Sequence, residues 1–217
     1  LSPSFLRFLD EVFLSIQGES TDTGLPCIFV RLFGCPIGCV YCDQPQDPKC
    51  KRRISMENLV AKVKKYRYVR RVCITGGEPM IYEETIPLTQ ELMYLGYKVS
   101  IETSGCIKLP DLGYRRSFKY IMDIKCPSSG VSEKNVYDNL LGLQSNDEVV
   151  FVIADRNDYE FAKHVLDTYP TQAKILLSPM FDKNQKAVIG NELVSWVLED
   201  GRDYRVQIQL HKILGVQ

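Results

Sequence analysis

CIFVRLFGCPIGCVYCDQP, running from Cys27 to Pro45, decides how the rest of this chain is read. Its first part, Cys27–Phe33, is apolar apart from Arg31 and reads as a short buried strand. Its second part holds Cys35, Cys39 and Cys42 in the spacing CX3CX2C. A closed structural zinc site takes four protein ligands. Cys50 could supply the fourth, as CX3CX2CX7C. Zinc knuckles are compact and polar, however, and this loop follows a strongly apolar strand. Three thiolates on a four-iron cube would instead leave one iron open. An open metal position is what a catalytic site keeps, and the amine and carboxylate of an amino acid could chelate it.

Working outward, further apolar runs read as strands: Arg71–Thr75, Lys98–Thr103, Lys119–Ile124, Glu148–Ile153, Lys174–Leu177 and Tyr204–Leu210. Amphipathic segments lie between them, at Ser55–Tyr66, Glu83–Leu95, Asp158–Tyr169 and Asn191–Glu199. Strand–helix alternation predicts an α/β fold with parallel strands and outer crossover helices. The longest polar or turn-rich connections are Asp43–Arg53, expected to drape around the cysteines, and Ser104–Ser117. Glycine-rich and polar residues gather at the carboxyl ends of the strands. They include Thr75-Gly76-Gly77-Glu78-Pro79, Glu102-Thr103-Ser104-Gly105, Asp123-Ile124-Lys125 and Ser178-Pro179. In parallel α/β folds those ends form the ligand-binding rim, which predicts one shared site.

The 217 residues suit one domain, 1–217, able to bury a core without disulfide staples. Lys and Arg (27) balance Asp and Glu (27), so global charge points to neither nucleic acid nor membrane. The basic, aromatic run Lys62–Arg71 therefore reads as a solvated helix end rather than a nucleic-acid patch. No run of about 18 apolar residues predicts a membrane helix. The opening segment carries Asp10 and Glu11 inside its apolar stretch, unlike a secretory signal. The eight cysteines then read as reduced thiols in a cytoplasmic protein. Cys27, Cys73, Cys106 and Cys126 read as buried small hydrophobes. His164 reads as a surface or packing residue, and His211 lies near the expected substrate end.

CX3CX2C after a first strand, with Tyr41 before the third cysteine and TGGEP after the next strand, resembles the radical S-adenosylmethionine superfamily. The resemblance implies an abbreviated, modified (β/α) partial barrel and a [4Fe-4S] cluster held by Cys35, Cys39 and Cys42. In that superfamily the reduced cluster cleaves S-adenosylmethionine, giving a 5′-deoxyadenosyl radical that abstracts a hydrogen from substrate. The segments FLSIQGES (Phe13–Ser20), FVRLFGC and ETSG resemble the 7-carboxy-7-deazaguanine synthase family, nearly throughout the chain. Members convert 6-carboxy-5,6,7,8-tetrahydropterin to 7-carboxy-7-deazaguanine with loss of ammonia, supplying queuosine and other 7-deazapurines.

The resemblance also implies roles for individual residues. Ile16, Gln17, Gly18 and the adjacent Glu19 match the pterin-binding segment. Arg31 suits the substrate carboxylate, because a guanidinium binds carboxylate bidentately; a structural ion pair is the alternative. Thr75 and Gln217 match further substrate contacts. Gly77, Asp123, Ile124, Lys125 and Ser178 match S-adenosylmethionine contacts. Glu102 reads equally as a contact to the cofactor ribose or a cap on the next turn. Gln44 stands where many members carry a magnesium-binding Thr or Ser. An amide oxygen can ligate a hard cation, but the longer neutral side chain counts against magnesium here. A flavodoxin- or ferredoxin-type reductant and a homodimer are also implied. The competing readings are an activating enzyme for a glycyl-radical partner and a zinc-stabilised RNA-binding module.

Overall fold

The computed structural model describes residues 5–42, 44, 52–182, 184 and 186–217, at 5–10 and 52 by their backbone. A nine-stranded sheet runs through it in the order β3-β1-β2-β4-β5-β6-β7-β8-β9. The strands are β1 (Phe5–Ile16), β2 (Pro26–Leu32), β3 (Arg52–Ser55), β4 (Arg71–Gly76) and β5 (Lys98–Thr103). They continue as β6 (Phe118–Ile124), β7 (Glu148–Ile153), β8 (Lys174–Pro179) and β9 (Tyr204–Val206). Across the sheet from β2 through β4 to β9 each neighbouring pair is parallel, while β1 pairs antiparallel with both β2 and β3. This is the open, mostly parallel sheet expected of a partial barrel, with an antiparallel flap added at one edge.

Helices α1 (Met56–Lys64), α2 (Thr85–Tyr94), α3 (Asn139–Gly142), α4 (Arg156–Thr168), α5 (Gly190–Asp200) and α6 (Leu210–Leu214) complete the chain. Ser55 caps α1 by accepting from the Asn58 N–H, and Asp155 caps α4 by accepting from the Asp158 N–H. The crossover from β5 to β6 carries no helix, matching the predicted Ser104–Ser117 connection.

Alternation along the strands sorts the residues onto two faces. Ile28, Val30 and Leu32 of β2 enter the main core with Val72 and Ile74 of β4. That core continues through Ile101, Met122, Ile124 and Phe151 and is covered by Leu59, Leu88, Tyr159 and Leu193 from the helices. The intervening residues are a different set. Arg31, Thr75, Glu102, Asp123 and Ser178 alternate with core positions and occupy the opposite, inner face near the strand ends.

Two strands were not expected from sequence: β1, which charged residues interrupt, and the short β3. The predicted strand Tyr204–Leu210 is shorter than expected. It ends at Val206, and Leu210 begins α6. Most of the loop expected to drape the cysteines, with Cys50, lies outside the described residues. Cys27, Cys73 and Cys126 are buried as predicted, whereas Cys106 is partly exposed. His164 lies exposed on α4, and much of the Lys62–Arg71 run faces solvent. No helix among the described residues is long and apolar enough to cross a membrane.

Candidate active site

Glu102 is the joint of the rim. One carboxylate oxygen accepts from the Gln17 amide (3.1 Å) and the other from the Thr75 hydroxyl (2.8 Å). Gln17 is buried, and its own amide oxygen accepts from the Glu19 N–H (3.2 Å). Three expected substrate contacts, Gln17, Thr75 and Glu19, are thereby assembled around one carboxylate. The expected cap on the next turn is not what Glu102 makes. The turn is secured by Glu78, which is fully buried and accepts from Met80 N, Thr103 Oγ1, Ser104 N and Ser104 Oγ.

Glu19 sits between charges of both signs. Its Oε1 accepts from Gln209 Nε2 at 2.6 Å. Burial is the main force raising its pKa to about 7, with Glu102 adding to it; the Gln209 bond and Lys212 oppose. Gly18 packs against His211, where any Cβ would overlap the imidazole, and its carbonyl accepts from the Leu210 N–H (2.8 Å). Helix α6 therefore rests directly on the Gln17–Glu19 segment. Ile16 ends β1, paired with Pro26.

Arg31 leads a second group. Its Nε meets Glu11 Oε1 at 3.1 Å, its guanidinium lies 5.4 Å from the Phe13 ring centroid, and its Nη1 donates to Gln44 Oε1. Gln217 joins the same group, donating to Glu11 Oε1 (2.5 Å) and accepting from Ser15 Oγ at its backbone carbonyl. The ion-pair alternative for Arg31 is thus realised with Glu11. Arg31 is largely covered (14% exposed) and Glu11 less so (37%), so a second carboxylate can reach the guanidinium only alongside these partners.

Gln44 does not fit magnesium. Its amide oxygen already accepts from a guanidinium, and a divalent cation beside that positive charge would be repelled. Among the described residues no group of acidic, histidine or cysteine side chains gathers around a single ion.

The cysteine loop is held from outside the motif. Val40 N donates to Ser129 O (3.0 Å), and Lys134 Nζ donates to the carbonyls of Pro36 (3.3 Å) and Ile37 (2.8 Å). Gly77 N donates to Leu32 O and Glu78 N to Gly34 O, so the TGGEP turn lies against the start of the loop. Close approach requires glycine here. A Cβ on Gly76, whose φ is +134°, would overlap the Leu32 backbone, and one on Gly77 would overlap the Gly34 carbonyl. Ser129 and Lys134 carry no motif and were missed from the sequence; only the fold brings them here.

The donor set fits an iron–sulfur cluster. Cys35, Cys39 and Cys42 are free thiols, with Cys35 and Cys42 exposed. Burial raises the pKa of Cys39, and the neighbouring Lys125 ammonium opposes it. A coordinating metal deprotonates a thiol outright. By contrast, burial drives Cys27 up to about 12 and Cys73 well above its usual value, which keeps both protonated and inert.

Beside Cys39 lie two buried oxygens that want partners. Asp123 pairs with Lys125 through Oδ2 (2.5 Å), but its Oδ1 is buried with no hydrogen-bond partner, as is the Tyr41 hydroxyl. An orphaned carboxylate oxygen at the rim suits a cofactor bearing amine or hydroxyl donors. Of the other expected cofactor contacts, Ile124 turns its side chain into the core, which leaves only its backbone toward the rim. Ser178 is fully buried on the inner face, its Oγ accepting from Gln207 Nε2 (2.9 Å).

Residues 30–113 match the Radical SAM superfamily model. The chain is 39% identical to the 7-carboxy-7-deazaguanine synthase of Koribacter versatilis, covering 95% of this chain and 96% of that protein. It is 37% identical to the enzyme of the same name from Methanospirillum hungatei, covering 95% and 84%. The crystal structure of QueE from Escherichia coli superposes with a TM-score of 0.76 at 26% identity, covering 94% of each chain.

Proposed function

The chain belongs to the 7-carboxy-7-deazaguanine synthase family of radical S-adenosylmethionine enzymes, and on that premise we propose that the rim around Glu102 binds a carboxylated tetrahydropterin for ring contraction. Membership brings with it a [4Fe-4S] cluster and S-adenosylmethionine, and places the enzyme in 7-deazapurine biosynthesis. The reaction proposed for this chain converts 6-carboxy-5,6,7,8-tetrahydropterin to 7-carboxy-7-deazaguanine and ammonia, a queuosine precursor step.

The observation that carries this reading is the Glu102 joint, which binds Gln17 and Thr75 from two different segments. A pterin edge offers amide-like donors and acceptors, and amide, hydroxyl and carboxylate groups are their natural partners. A site built on such groups rejects analogues that leave them unpaired. Arg31 offers the substrate carboxylate its guanidinium alongside the Glu11 and Gln44 side chains it already holds. Glu19, poised near neutrality, suits moving a proton when a carbon loses one and the departing nitrogen gains one.

Cys35, Cys39 and Cys42 would hold the cluster; Asp123, Lys125, Ser178, Gly77 and the Ile124 backbone would line the cofactor. Bound there, the cofactor supplies a carbon radical able to abstract hydrogen. The protein's part is to orient substrate and keep solvent away. A flavodoxin- or ferredoxin-type electron donor, a homodimer, a single domain over 1–217 and a cytoplasmic setting belong to the same reading. Magnesium does not, because Gln44 is engaged by Arg31. No observation favours an activating enzyme for a glycyl-radical partner or an RNA-binding module.

The test is turnover of 6-carboxytetrahydropterin by anaerobically reconstituted enzyme, wild type against Glu102→Gln. A rise in substrate KM with unchanged iron content supports the reading. Wild-type cleavage of S-adenosylmethionine without pterin conversion would discard it.

A further inference from the structure

The loop from Gln17 to Leu25 crosses the inner face and is fastened at several strands. Its floor is a charged network. Glu148 of β7, fully buried, accepts from Thr21 N (3.1 Å) and Thr21 Oγ1 (2.5 Å) and pairs with Lys119 of β6. Lys119 also meets Asp22 (3.0 Å), which faces Arg71 of β4 (3.6 Å). Its far end is Ser20, buried and, at φ +71°, the one non-glycine residue with positive φ among those described. Such a backbone conformation is strained for a residue with a Cβ and persists only where surroundings impose it.

Local bonds hold Ser20, whose hydroxyl accepts from Asp22 N (3.0 Å) and whose carbonyl accepts from Thr23 Oγ1 (2.6 Å), and the group that holds it from outside the loop is Gln207, just beyond β9. Its Oε1 accepts from Ser20 N at 2.8 Å, and its Nε2 donates to Ser178 Oγ at 2.9 Å. Its own N–H donates to Leu177 O (3.0 Å), so the side chain is fixed against β8. Gln207 is itself buried. One amide thus joins the residue after Glu19 to the end of β8, spanning the expected substrate and cofactor segments.

We propose that Gln207 is a positioning residue that sets the register between the pterin-binding loop and the cofactor bound at the end of β8. The inference rests on the substrate reading above. Hydrogen abstraction needs the reacting atoms within a narrow distance, and a displacement of about 1 Å can cost on the order of a hundredfold in rate. Loosening this amide should therefore separate cofactor cleavage from product formation, not simply weaken the fold.

The experiment compares wild type, Gln207→Leu, Gln207→Glu and Tyr159→Phe. It measures 5′-deoxyadenosine formed per 7-carboxy-7-deazaguanine, with iron content and Tm recorded alongside. Gln207→Leu removes both bonds and should raise that ratio about tenfold at normal iron loading. Gln207→Glu keeps the acceptor for the Ser20 N–H and lets the Ser178 hydroxyl donate where it had accepted, and should bring the ratio back to within about twofold of wild type. Tyr159→Phe removes the hydroxyl bonds to Trp196 O and Asp200 on the helical side of the sheet, away from the loop, and should lower Tm with the ratio unchanged. A wild-type ratio in Gln207→Leu, or equal ratios in the Leu and Tyr159→Phe proteins, overturns the proposal. If Gln207→Leu fails to fold, a ratio in Gln207→Glu more than about tenfold above wild type also overturns it. Absence of product from wild type would instead defeat the substrate reading itself.

Discussion

Glu102 accepts the Gln17 amide at 3.1 Å, joining the third parallel strand to a loop that lies 85 residues earlier in the chain. With Thr75 on its other oxygen, this carboxylate holds two groups of one rim in fixed orientation. A residue that reads equally from sequence as a cofactor contact or a turn cap is thus committed to the neighbours expected to touch substrate.

Replacing Glu102 with Gln turns an acceptor into a mixed donor–acceptor and releases one partner. Hydrogen bonds to charged groups contribute roughly 1.5–3 kcal/mol. The substrate KM should rise about tenfold or more, while the KM for S-adenosylmethionine and the iron content stay put. Steady-state kinetics on both substrates decide it; a change confined to the cofactor KM would return Glu102 to the cofactor.

Arg31→Ala removes the guanidinium that pairs with Glu11. Substrate KM should climb by about tenfold to a hundredfold, on the scale of a charge-assisted pair. Abortive cofactor cleavage should barely change. Equal loss of both activities would mean that Arg31 serves the fold through Glu11.

Glu19 makes stability depend on pH. Its folded pKa, raised to about 7, lies above its ordinary value of 4.5. The folded state therefore holds a proton that the unfolded chain has released. This stabilisation is complete below about 4.5 and is lost as pH rises through about 7. Tm should fall between pH 5 and pH 8 by more in wild type than in Glu19→Gln, by at least about 2 °C. Identical pH profiles would show that Glu19 is solvated and ordinary.

Magnesium should leave turnover unchanged, because the Gln44 oxygen that would bind it accepts from Arg31. Gln44→Thr shortens the side chain and frees that corner, so stimulation by magnesium should appear in this variant. The check is a magnesium titration of turnover in both proteins after chelator treatment. Stimulation of the wild type would show that the ion finds other oxygens.

The parallel strands were legible because each is a short apolar run closed by glycine or polar residues, as in Arg71–Gly76 and Lys98–Thr103. The cysteines and TGGEP were legible because their chemistry fixes their spacing. Strand β1 was not, since charges such as Glu11 break its apolar pattern; in the fold Glu11 faces Arg31 across the antiparallel pair. The end of the last strand was misjudged because Gln207 alternates as a strand residue would, yet its amide is spent on Ser20 and Ser178. Lys134, Ser129 and Glu148 act on partners far away in sequence, and no local pattern signals that.

The most direct measurement incubates anaerobically reconstituted protein with S-adenosylmethionine, a reductant and 6-carboxytetrahydropterin, beside its Cys39→Ala variant, and follows products by mass spectrometry. The account predicts 7-carboxy-7-deazaguanine from the wild type and none from the variant, which should also lack the cluster's iron. Formation of 5′-deoxyadenosine without 7-carboxy-7-deazaguanine, or product from the Cys39→Ala protein, would contradict it.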